Sequence, residues 1–333
     1  MKITVGIPAY NEAQNIGALL KAMLDQKLHY DLSLSQVLVF SDGSTDSTPT
    51  VISEWVKRDP RIELRQSSRR LGKPTVINEI FKLAHGDVVV LIDADTMPVG
   101  DTFVSEMTTS FKNNSDLGIV AAIGIPLPSK SLVGRAAVFS SNVRRRLVWV
   151  MPYFAFNVAI AISAKIAKTV SLPSRVIGDD AYLYFKTQRQ GLKIIVSQNA
   201  KILYREPQTL RDFVVQRKKY DLNVAQLRQF FGNQVREQIK IPKKLWIVFL
   251  QEMIRDPVAG FFWLLLRGFL KLRRTADSEK VTNSVALSTK GGLSPHPKNN
   301  NVAFGRQHLK IGNVCFPHIM VTSSSNNREE YRI

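Results

Sequence analysis

Strand-like and helix-like segments alternate regularly along the first hundred residues, and this alternation constrains the fold more than any other feature of the sequence. The strand-like segments are "KITVGIP", "QVLVFS", "RIELRQ" and "DVVVLID", and amphipathic helical patterns such as "KPTVINEIFKLAH" separate them. Strands joined through helices require crossover connections. The pattern therefore predicts an α/β fold with a Rossmann-like, mostly parallel sheet flanked by helices. Such sheets bind ligands beyond the carboxyl ends of their strands.

Beyond residue 100 the sequence predicts fewer regular elements. A helix is expected from about Asp179 to a stop at Gly191, followed by two short strands, "KIIVSQ" and "AKILYRE", and the helix "LRDFVVQRKKYDLNVAQLRQFF". The uncharged segment Leu147–Ala164 just reaches the length of a membrane span. Its β-branched and aromatic residues, interrupted by Pro152, favour buried strands instead.

A second apolar segment runs from Leu245 to Leu270 and is interrupted by Arg255, Asp256 and Pro257. Neither of the two resulting pieces is long enough to cross a bilayer. They predict two amphipathic helices. These helices either lie in a membrane interface, with the neighbouring lysines and arginines against lipid headgroups, or pack on the rest of the protein.

The chain is strongly basic, with a formal net charge of +19. Residues 201–333 hold 23 lysines and arginines against 10 aspartates and glutamates, so most of the excess lies there. This distribution suggests a polyanionic partner, either an anionic membrane surface or nucleic acid; the alternative is a solvated basic face without a partner. From about Ala276 onward Ser, Asn, Gly and Lys dominate, which predicts a poorly ordered basic tail over residues 276–333.

Two features bear on the cellular compartment. The single cysteine, Cys315, excludes an internal disulfide framework and fits a reducing environment. The opening "MKITVGIPAYNE" is typical of a strand from residue 2 and not of a signal peptide. We expect a cytoplasmic protein, with peripheral contact to the cytoplasmic face of an anionic membrane as the accompanying hypothesis.

Polar residues follow the first, second and fourth predicted strands. They are Asn11 and Glu12, then Asp42, then Asp93 and Asp95. Alternation along a strand would point Asp93 and Asp95 to the same face, where they repel each other unless a cation lies between them. Such a D-x-D pair suits Mg²⁺ or Mn²⁺, and a metal there would also bind a diphosphate; a solvated pair of loop residues is the alternative.

A second acidic pair, Asp179 and Asp180, stands at the start of a predicted helix. Carboxylates are stabilised there by the helix dipole, so simple capping accounts for them. The functional alternative is that one of them acts as a general base toward a substrate hydroxyl.

The stretch "RLGKPT" resembles the end of a phosphate-binding loop. It does not fit the P-loop pattern, because Ser67 stands where the first glycine belongs and Pro74 follows the lysine. A P-loop NTPase is therefore excluded, although Lys73 remains a candidate for neutralising a phosphate.

Taken in order, these motifs resemble those of the family 2 glycosyltransferases, inverting enzymes with the GT-A fold. The resemblance covers about residues 2–230. It rests on "VGIPAYNE", "SDGSTDST", "LGKPTVIN", "DADT", "IGDDAYLYFKTQRQGLKI" and "QRKKY". Three positions depart from the family pattern: Ser41 replaces an aspartate, Lys219 an arginine and Tyr220 a tryptophan. The last two weaken the case for processive polymerisation and leave single transfer intact.

The resemblance implies a role for each matching residue. A nucleotide sugar would contact Pro8, Ala9, Tyr10, Glu12, Asp42, Lys73 and Asp93. A Mg²⁺ or Mn²⁺ ion would bind Asp95, with Asp93 near both the ribose and the metal. Asp180 would be the catalytic base. The acceptor would contact Asp179, Gln216, Lys219 and Tyr220.

The resemblance also implies a function and a domain division. We expect an inverting, divalent-metal-dependent transferase that moves a sugar from a nucleotide sugar, UDP-linked rather than GDP-linked, to an acceptor hydroxyl or lipid phosphate in polysaccharide or glycolipid synthesis. The predicted regions are residues 1–100 for the nucleotide, 101–235 for the acceptor, 236–275 for the amphipathic helices and then the tail. The alternatives are a sugar-nucleotide nucleotidyltransferase and a basic nucleic-acid-binding protein. Acids at the sheet edge would repel nucleic acid, so none is expected as a partner.

Overall fold

An eight-stranded sheet forms the centre of the computed structural model, which describes residues 1–148, 151, 153, 158–238, 242 and 245–271. The strands are β1 Lys2–Ala9, β2 Ser33–Asp42, β3 Ile62–Ser67, β4 Val88–Ile92, β5 Met97–Pro98, β6 Leu117–Pro126, β7 Ala159–Ser163 and β8 Lys193–Tyr204. Their order across the sheet is β3-β2-β1-β4-β7-β6-β8-β5. The first four strands in this order are parallel, as are β6 and β8. β7 is antiparallel to both neighbours, and β5 is antiparallel to β8.

Helices connect most of the strands. They are α1 Ile16–Leu24, α2 Thr48–Val56, α3 Lys73–Leu83, α4 Phe103–Thr108, α5 Leu132–Arg145, α6 Ala164–Thr169, α7 Asp179–Arg189, α8 Leu210–Phe231, α9 Asn233–Gln238, α10 Leu245–Arg255 and α11 at residues 257–271. Prolines in the first turns of α2 and α3 favour helix starts there, because the amide of a first-turn residue has no hydrogen-bond partner within the helix.

Both faces of the sheet are buried under helices. In β4, Val88, Val90 and Ile92 pack into the core beneath α1, α2 and α4, whereas Val89 and Leu91 pack into the core beneath α3, α6 and α7. This two-sided burial explains why "VVVLI" shows no polar alternation. It also leaves the carboxyl ends of the parallel strands as the place where polar side chains collect.

The structure confirms the α/β fold and the first four predicted strands. The helix predicted from Asp179 is α7, and Gly191 follows it with a φ of +70°. The two predicted strands after it are one continuous strand, β8, so that prediction was wrong in detail. Of the segment predicted as buried strands, β7 is the part that the described residues show as a strand.

The second apolar segment forms α10 and α11, which break at Asp256 as the sequence predicts. Their inner faces pack on α5: Phe249 and Trp263 lie 5.3 and 6.0 Å from the ring of Phe139. Within the described residues, no helix has the length and apolar character needed to cross a membrane. The predicted tail at 276–333 lies outside the described residues.

Candidate active site

Asp93 and Asp95 follow β4 in a turn and do not continue the strand. The strand ends at Ile92, and Thr96 closes the turn by donating to the carbonyl oxygen of Asp93 from its amide nitrogen (3.2 Å) and its hydroxyl (2.7 Å). The prediction that strand alternation orients both carboxylates was therefore wrong. The turn still keeps them close, since the charge of Asp95 contributes to a raised pKa of Asp93.

Lys73 is the cation that lies between the two acidic pairs. Its Nζ is 2.6 Å from Oδ1 of Asp93 and 3.3 Å from Oδ2 of Asp179. Burial would lower the pKa of this lysine, but Asp179 and Asp93 more than offset that effect and hold the pKa above its ordinary value. The side chain is still 40% exposed, so it remains accessible to an anionic ligand.

Four carboxyl groups along this edge of the sheet, the rim of the site, have raised pKa values: those of Glu12, Asp93, Asp95 and Asp180. Desolvation, with the neighbouring Asp179, raises the pKa of Asp180 to about 7. Desolvation also raises the pKa of Glu12 to about 7, with contributions from Asp95 and other acids, and that of Asp93 to about 6. Raised values of this kind are expected where carboxylates outnumber the cations that neutralise them.

Hydrogen bonds tie the loop after β1 to the loop after β2. Asn11 has a φ of +56°, and its Oδ1 accepts from the amide of Thr45 at 2.8 Å. The amide of Asn11 donates to Oγ of Ser44 at 3.2 Å, and the amide of Glu12 donates to Oγ1 of Thr48 at 2.7 Å. The residues "PAYNE" and "SDGSTDST" therefore form one wall of the candidate site, and their contact with a nucleotide stays a prediction.

Asp42 has a different set of partners from the one predicted. It is buried, and its two oxygens accept from the amides of Leu71 (2.6 Å) and Gly72 (2.9 Å). It thereby fixes the loop that precedes α3, and contact with a nucleobase stays a prediction. In the same loop Arg70 places its guanidinium 3.9 Å from the ring centre of Tyr10. This contact could not be predicted, because no motif distinguishes Arg70 from the basic residue before it.

Of the four residues predicted to contact the acceptor, Asp179 begins α7 and the other three lie on α8. These three are the half-buried Gln216 and the exposed Lys219 and Tyr220. Lys219 is close enough to Asp95 to oppose the rise in the pKa of that carboxyl, which desolvation causes. Tyr220 has a raised pKa, caused mainly by desolvation and in part by the charge of Asp180. Thus α8 faces the same acids as the nucleotide-side loops.

Behind Tyr220 lies a buried polar cluster that the sequence did not predict. Arg144 of α5 has its guanidinium 6.0 Å from the ring centre of Tyr220 and a nitrogen 3.6 Å from Oε1 of Glu206. Glu206 is 4% exposed and also accepts from the hydroxyl of Tyr204 at 3.2 Å. A run of three arginines was the only sequence signal for this cluster, and it did not single out Arg144.

The acids at the rim fit a divalent cation that arrives with a diphosphate. Within the described part of the chain, no three His, Cys, Asp or Glu side chains are grouped to hold a metal ion by themselves. Mg²⁺ commonly binds one or two carboxylates and completes its shell with water and substrate phosphates. Desolvation, with the neighbouring Asp95 and Asp179, keeps the pKa of Asp93 raised even beside Lys73, so a further cation would favour its ionised form. The oxygen donors of Asp93 and Asp95 suit Mg²⁺ or Mn²⁺.

Gly43 in the loop after β2 tolerates no side chain. Its φ is +64°, and a Cβ there would lie 2.6 Å from backbone atoms of Arg69 and Arg70. Gly191 has a similar φ, +70°, with open space around it. We expect Gly191→Ala to cost only the roughly 1–2 kcal/mol of a left-handed residue, and Gly43→Ala to cost clearly more free energy of unfolding. Urea titration of both variants measures this, and equal losses would contradict the loop packing.

Comparisons with known proteins identify the family. Residues 4–156 match the family model described as glycosyl transferase family 2. A probable glycosyltransferase of Bacillus subtilis is 32% identical over 100 residues, covering 29% of this chain and 23% of that protein. A dolichyl-phosphate beta-glucosyltransferase of Dictyostelium discoideum is 27% identical over 149 residues, covering 42% of this chain and 45% of that protein. The matches span less than half the length of these curated relatives.

A solved structure supports the same assignment at the level of the fold. The mannosyltransferase of Pyrobaculum calidifontis, in complex with GDP-Man and Mn²⁺, superposes with a TM-score of 0.54 at 20% identity, covering 86% of this chain and 80% of that one. Residues 4–156 therefore match the family 2 glycosyltransferases in sequence, and the chain has the GT-A fold. The family and the fold predicted from the order of the motifs are confirmed.

Proposed function

We propose that this protein is an inverting, divalent-metal-dependent glycosyltransferase that moves a sugar from a nucleotide-sugar donor to an acceptor hydroxyl or lipid phosphate. The observation that carries the proposal is the meeting of the two acidic pairs at Lys73, which contacts both Asp93 and Asp179. The motif predicted to bind the donor, which contains Asp93, and the motif predicted to contact the acceptor, which contains Asp179, thus lie next to each other. The family match over residues 4–156 supports the same activity.

The donor would lie across the carboxyl ends of β1, β2 and β4. Its base would rest near Tyr10, and its ribose near Asp93. Lys73, exposed enough to reach an anion, would bind a phosphate oxygen. Asp95 and Asp93 would hold the metal ion, which would stabilise the negative charge that develops on the leaving diphosphate.

Asp180 would accept the proton of an acceptor hydroxyl as that oxygen attacks the anomeric carbon. An acceptor phosphate is largely ionised at neutral pH and would attack without giving up a proton. The Oδ1 of Asp180 accepts from the amide of Ala181 at 2.7 Å, which fixes the carboxyl at the first turn of α7. A pKa of about 7 suits a general base, because such a group is often ionised near neutrality and still basic enough to take a proton. One displacement from the face opposite the leaving group would invert the anomeric centre.

A lipid-linked acceptor is the acceptor class that we favour. The D. discoideum relative is by its name a dolichyl-phosphate beta-glucosyltransferase. Lys219 and Arg144 supply positive charge beside Tyr220 on the acceptor side. A phosphate-bearing acceptor would place the protein in glycolipid or polysaccharide synthesis.

The direct experiment measures binding and transfer together. The melting temperature should rise when UDP or GDP is added with Mn²⁺, because a ligand that binds the native state stabilises it by mass action. We expect the larger rise with UDP. The matching sugar nucleotides should then release their nucleoside diphosphate when a polyprenyl phosphate is present. No rise with either nucleotide would contradict the donor site.

The nucleotidyltransferase alternative predicts different products. It would consume a nucleoside triphosphate and a sugar phosphate and release pyrophosphate, whereas a glycosyltransferase releases a nucleoside diphosphate. Assaying both products in the same reaction separates the two functions. A gel-shift titration with salt tests the nucleic-acid alternative, and we expect no shift at physiological salt.

A further inference from the structure

We propose that the outer face of α10 and α11 docks on an anionic membrane surface. This docking face consists of six large apolar residues at about one-turn spacing: Trp246, Leu250, Ile254, Val258, Phe261 and Leu265. Trp246 is 69% exposed, Ile254 81% and Phe261 62%, which is unusual for side chains of this size. The proposal concerns a surface outside the candidate active site and does not depend on the transfer chemistry.

The inner faces of α10 and α11 pack on α5. The exposed apolar residues of the docking face are therefore not a result of missing core packing. Phe249 and Trp263 pack together at 5.6 Å and both contact Phe139 of α5. A Cβ on Gly260 would lie 2.3 Å from the sulfur of Met253, so the two helices approach each other closely there. The outer apolar residues therefore stand on a firmly packed pair of helices.

Both acids on this helix pair are paired with arginines. Asp256 accepts from Arg135 of α5 at 2.6 Å and from the amide of Ala259 at 3.0 Å. Glu252 is 5% exposed and accepts from Arg146 and Arg255, each at 3.0 Å. The outer surface between residues 245 and 271 consequently displays basic side chains, and the partly exposed carboxylate of Asp256 is paired with Arg135.

The exposed charges on this surface are Arg255, Arg267 and Lys271. The basic side chains along the border of the apolar face form a basic rim. A face of this kind is complementary to lipid chains beneath anionic headgroups. A second copy of the chain would bring two basic rims together. Residues 272–333 carry nine lysines and arginines against four aspartates and glutamates, so they share the sign of the rim as well. Charge complementarity therefore favours an anionic bilayer as the occupant.

The docking face also lies next to the acceptor side of the candidate active site. Leu266 of α11 packs with Phe213 of α8 and with Ala136 of α5. Tyr220 lies on the same helix as Phe213, and Arg144 on the same helix as Ala136. A membrane bound at this face would thus border the side on which an acceptor is expected.

Vesicle sedimentation of the full chain tests the proposal. The protein should pellet with vesicles of phosphatidylcholine and phosphatidylglycerol, bind phosphatidylcholine alone much more weakly, and lose affinity as salt is added. The double variant Ile254→Asp/Phe261→Asp should bind at least about tenfold more weakly, since charged groups on the apolar face oppose insertion. Because both side chains are exposed, its melting temperature should stay near that of the wild type.

Tyr30→Asp is the matched control, because Tyr30 is a fully exposed aromatic residue far from α10 and α11 in the chain, and its replacement adds the same charge per site. It should bind vesicles like the wild type. Asp180→Asn should also bind like the wild type, so a failure of the proposed catalysis would leave this result standing. Equal binding by the double variant and the wild type would overturn the proposal. So would a wild-type dimer that the double variant disperses, because a second copy would then cover the face.

Discussion

Replacing Asp180 with asparagine should lower kcat toward an acceptor hydroxyl by about 10²–10⁴-fold, the usual contribution of a positioned general base. The amide keeps the size of the side chain and loses the ability to take a proton. Donor binding should change little, because Lys73 pairs with Asp93 and Asp179 and not with Asp180. Steady-state transfer with donor held at saturation measures kcat, and a melting-temperature shift with nucleotide measures donor binding.

The pH dependence gives a second readout of the same residue. The pKa of Asp180 is raised to about 7, so the free protein should carry an increasing fraction of the ionised base as the pH rises through 7. The value of kcat/KM should therefore rise over this range and level off above it. Asp180→Asn should remove this rise.

As the pH rises, the contribution of Asp180 to the free energy of unfolding should fall, whereas kcat/KM should rise. A carboxyl whose pKa is higher in the folded state than in the unfolded state stabilises the fold at low pH, and that contribution disappears as the pH rises through the folded-state value. At pH above 7, Asp180→Asn should thus melt at the same temperature as the wild type or higher.

Asp212→Asn is the matched control for Asp180→Asn. Asp212 also stands in the first turn of a helix, α8, where its Oδ2 accepts from the hydroxyl of Thr209 at 2.7 Å. Its replacement removes the same helix-start charge without touching the acids at the rim. If Asp212→Asn and Asp180→Asn lowered turnover equally, the role of Asp180 would be capping and not proton transfer.

Replacing Asp95 with alanine should lower kcat/KM by about 10²-fold or more, because a bound metal ion supplies several kcal/mol of transition-state stabilisation. The variant should also need much more Mn²⁺ for half-maximal activity. EDTA should abolish transfer by the wild type, and added Mn²⁺ or Mg²⁺ should restore it. A titration of rate against free Mn²⁺ for both proteins provides the measurement.

Asp101→Ala is the control for Asp95→Ala. Asp101 lies in the same stretch of chain, and Lys27 pairs with it at 2.7 Å on the surface. Its loss should leave the metal requirement unchanged, since an exposed ion pair of this kind contributes little. An unchanged metal requirement in Asp95→Ala would remove Asp95 from the metal site.

The strands and helices of the first hundred residues could be predicted because the apolar pattern of each segment agrees with the way that segment is buried in the fold. Apolar residues of α1 recur at helical spacing, and the unbroken apolar run "VVVLI" of β4 suits a strand that is buried on both faces. The second half was harder to predict. β6 and α5 were not predicted, although Ser131 caps α5 by accepting from the amide of Gly134. β8 contains polar residues in its middle that divide it into two apparent strands.

The candidate site could be predicted only where residue type alone carries the chemistry. Asp93, Asp95, Asp179 and Asp180 were identifiable as acids at element ends. The contacts of Lys73 with two of them, and of Arg70 with Tyr10, depend on how α3 and its preceding loop are oriented. The hydrogen bonds from the amides of Leu71 and Gly72 to the buried carboxylate of Asp42 depend on the same loop and could not be predicted from the motif. Local sequence does not encode such orientations.

The most direct measurement is the position of Mn²⁺ in crystals grown with the metal and the nucleoside diphosphate that gives the larger melting-temperature shift. Anomalous scattering locates the ion without reference to the protein coordinates. The predicted result is a peak at about 2 Å from a carboxylate oxygen of Asp95, within reach of the diphosphate. A diphosphate bound with no metal peak beside Asp95, or a peak at unrelated side chains, would contradict the proposed site.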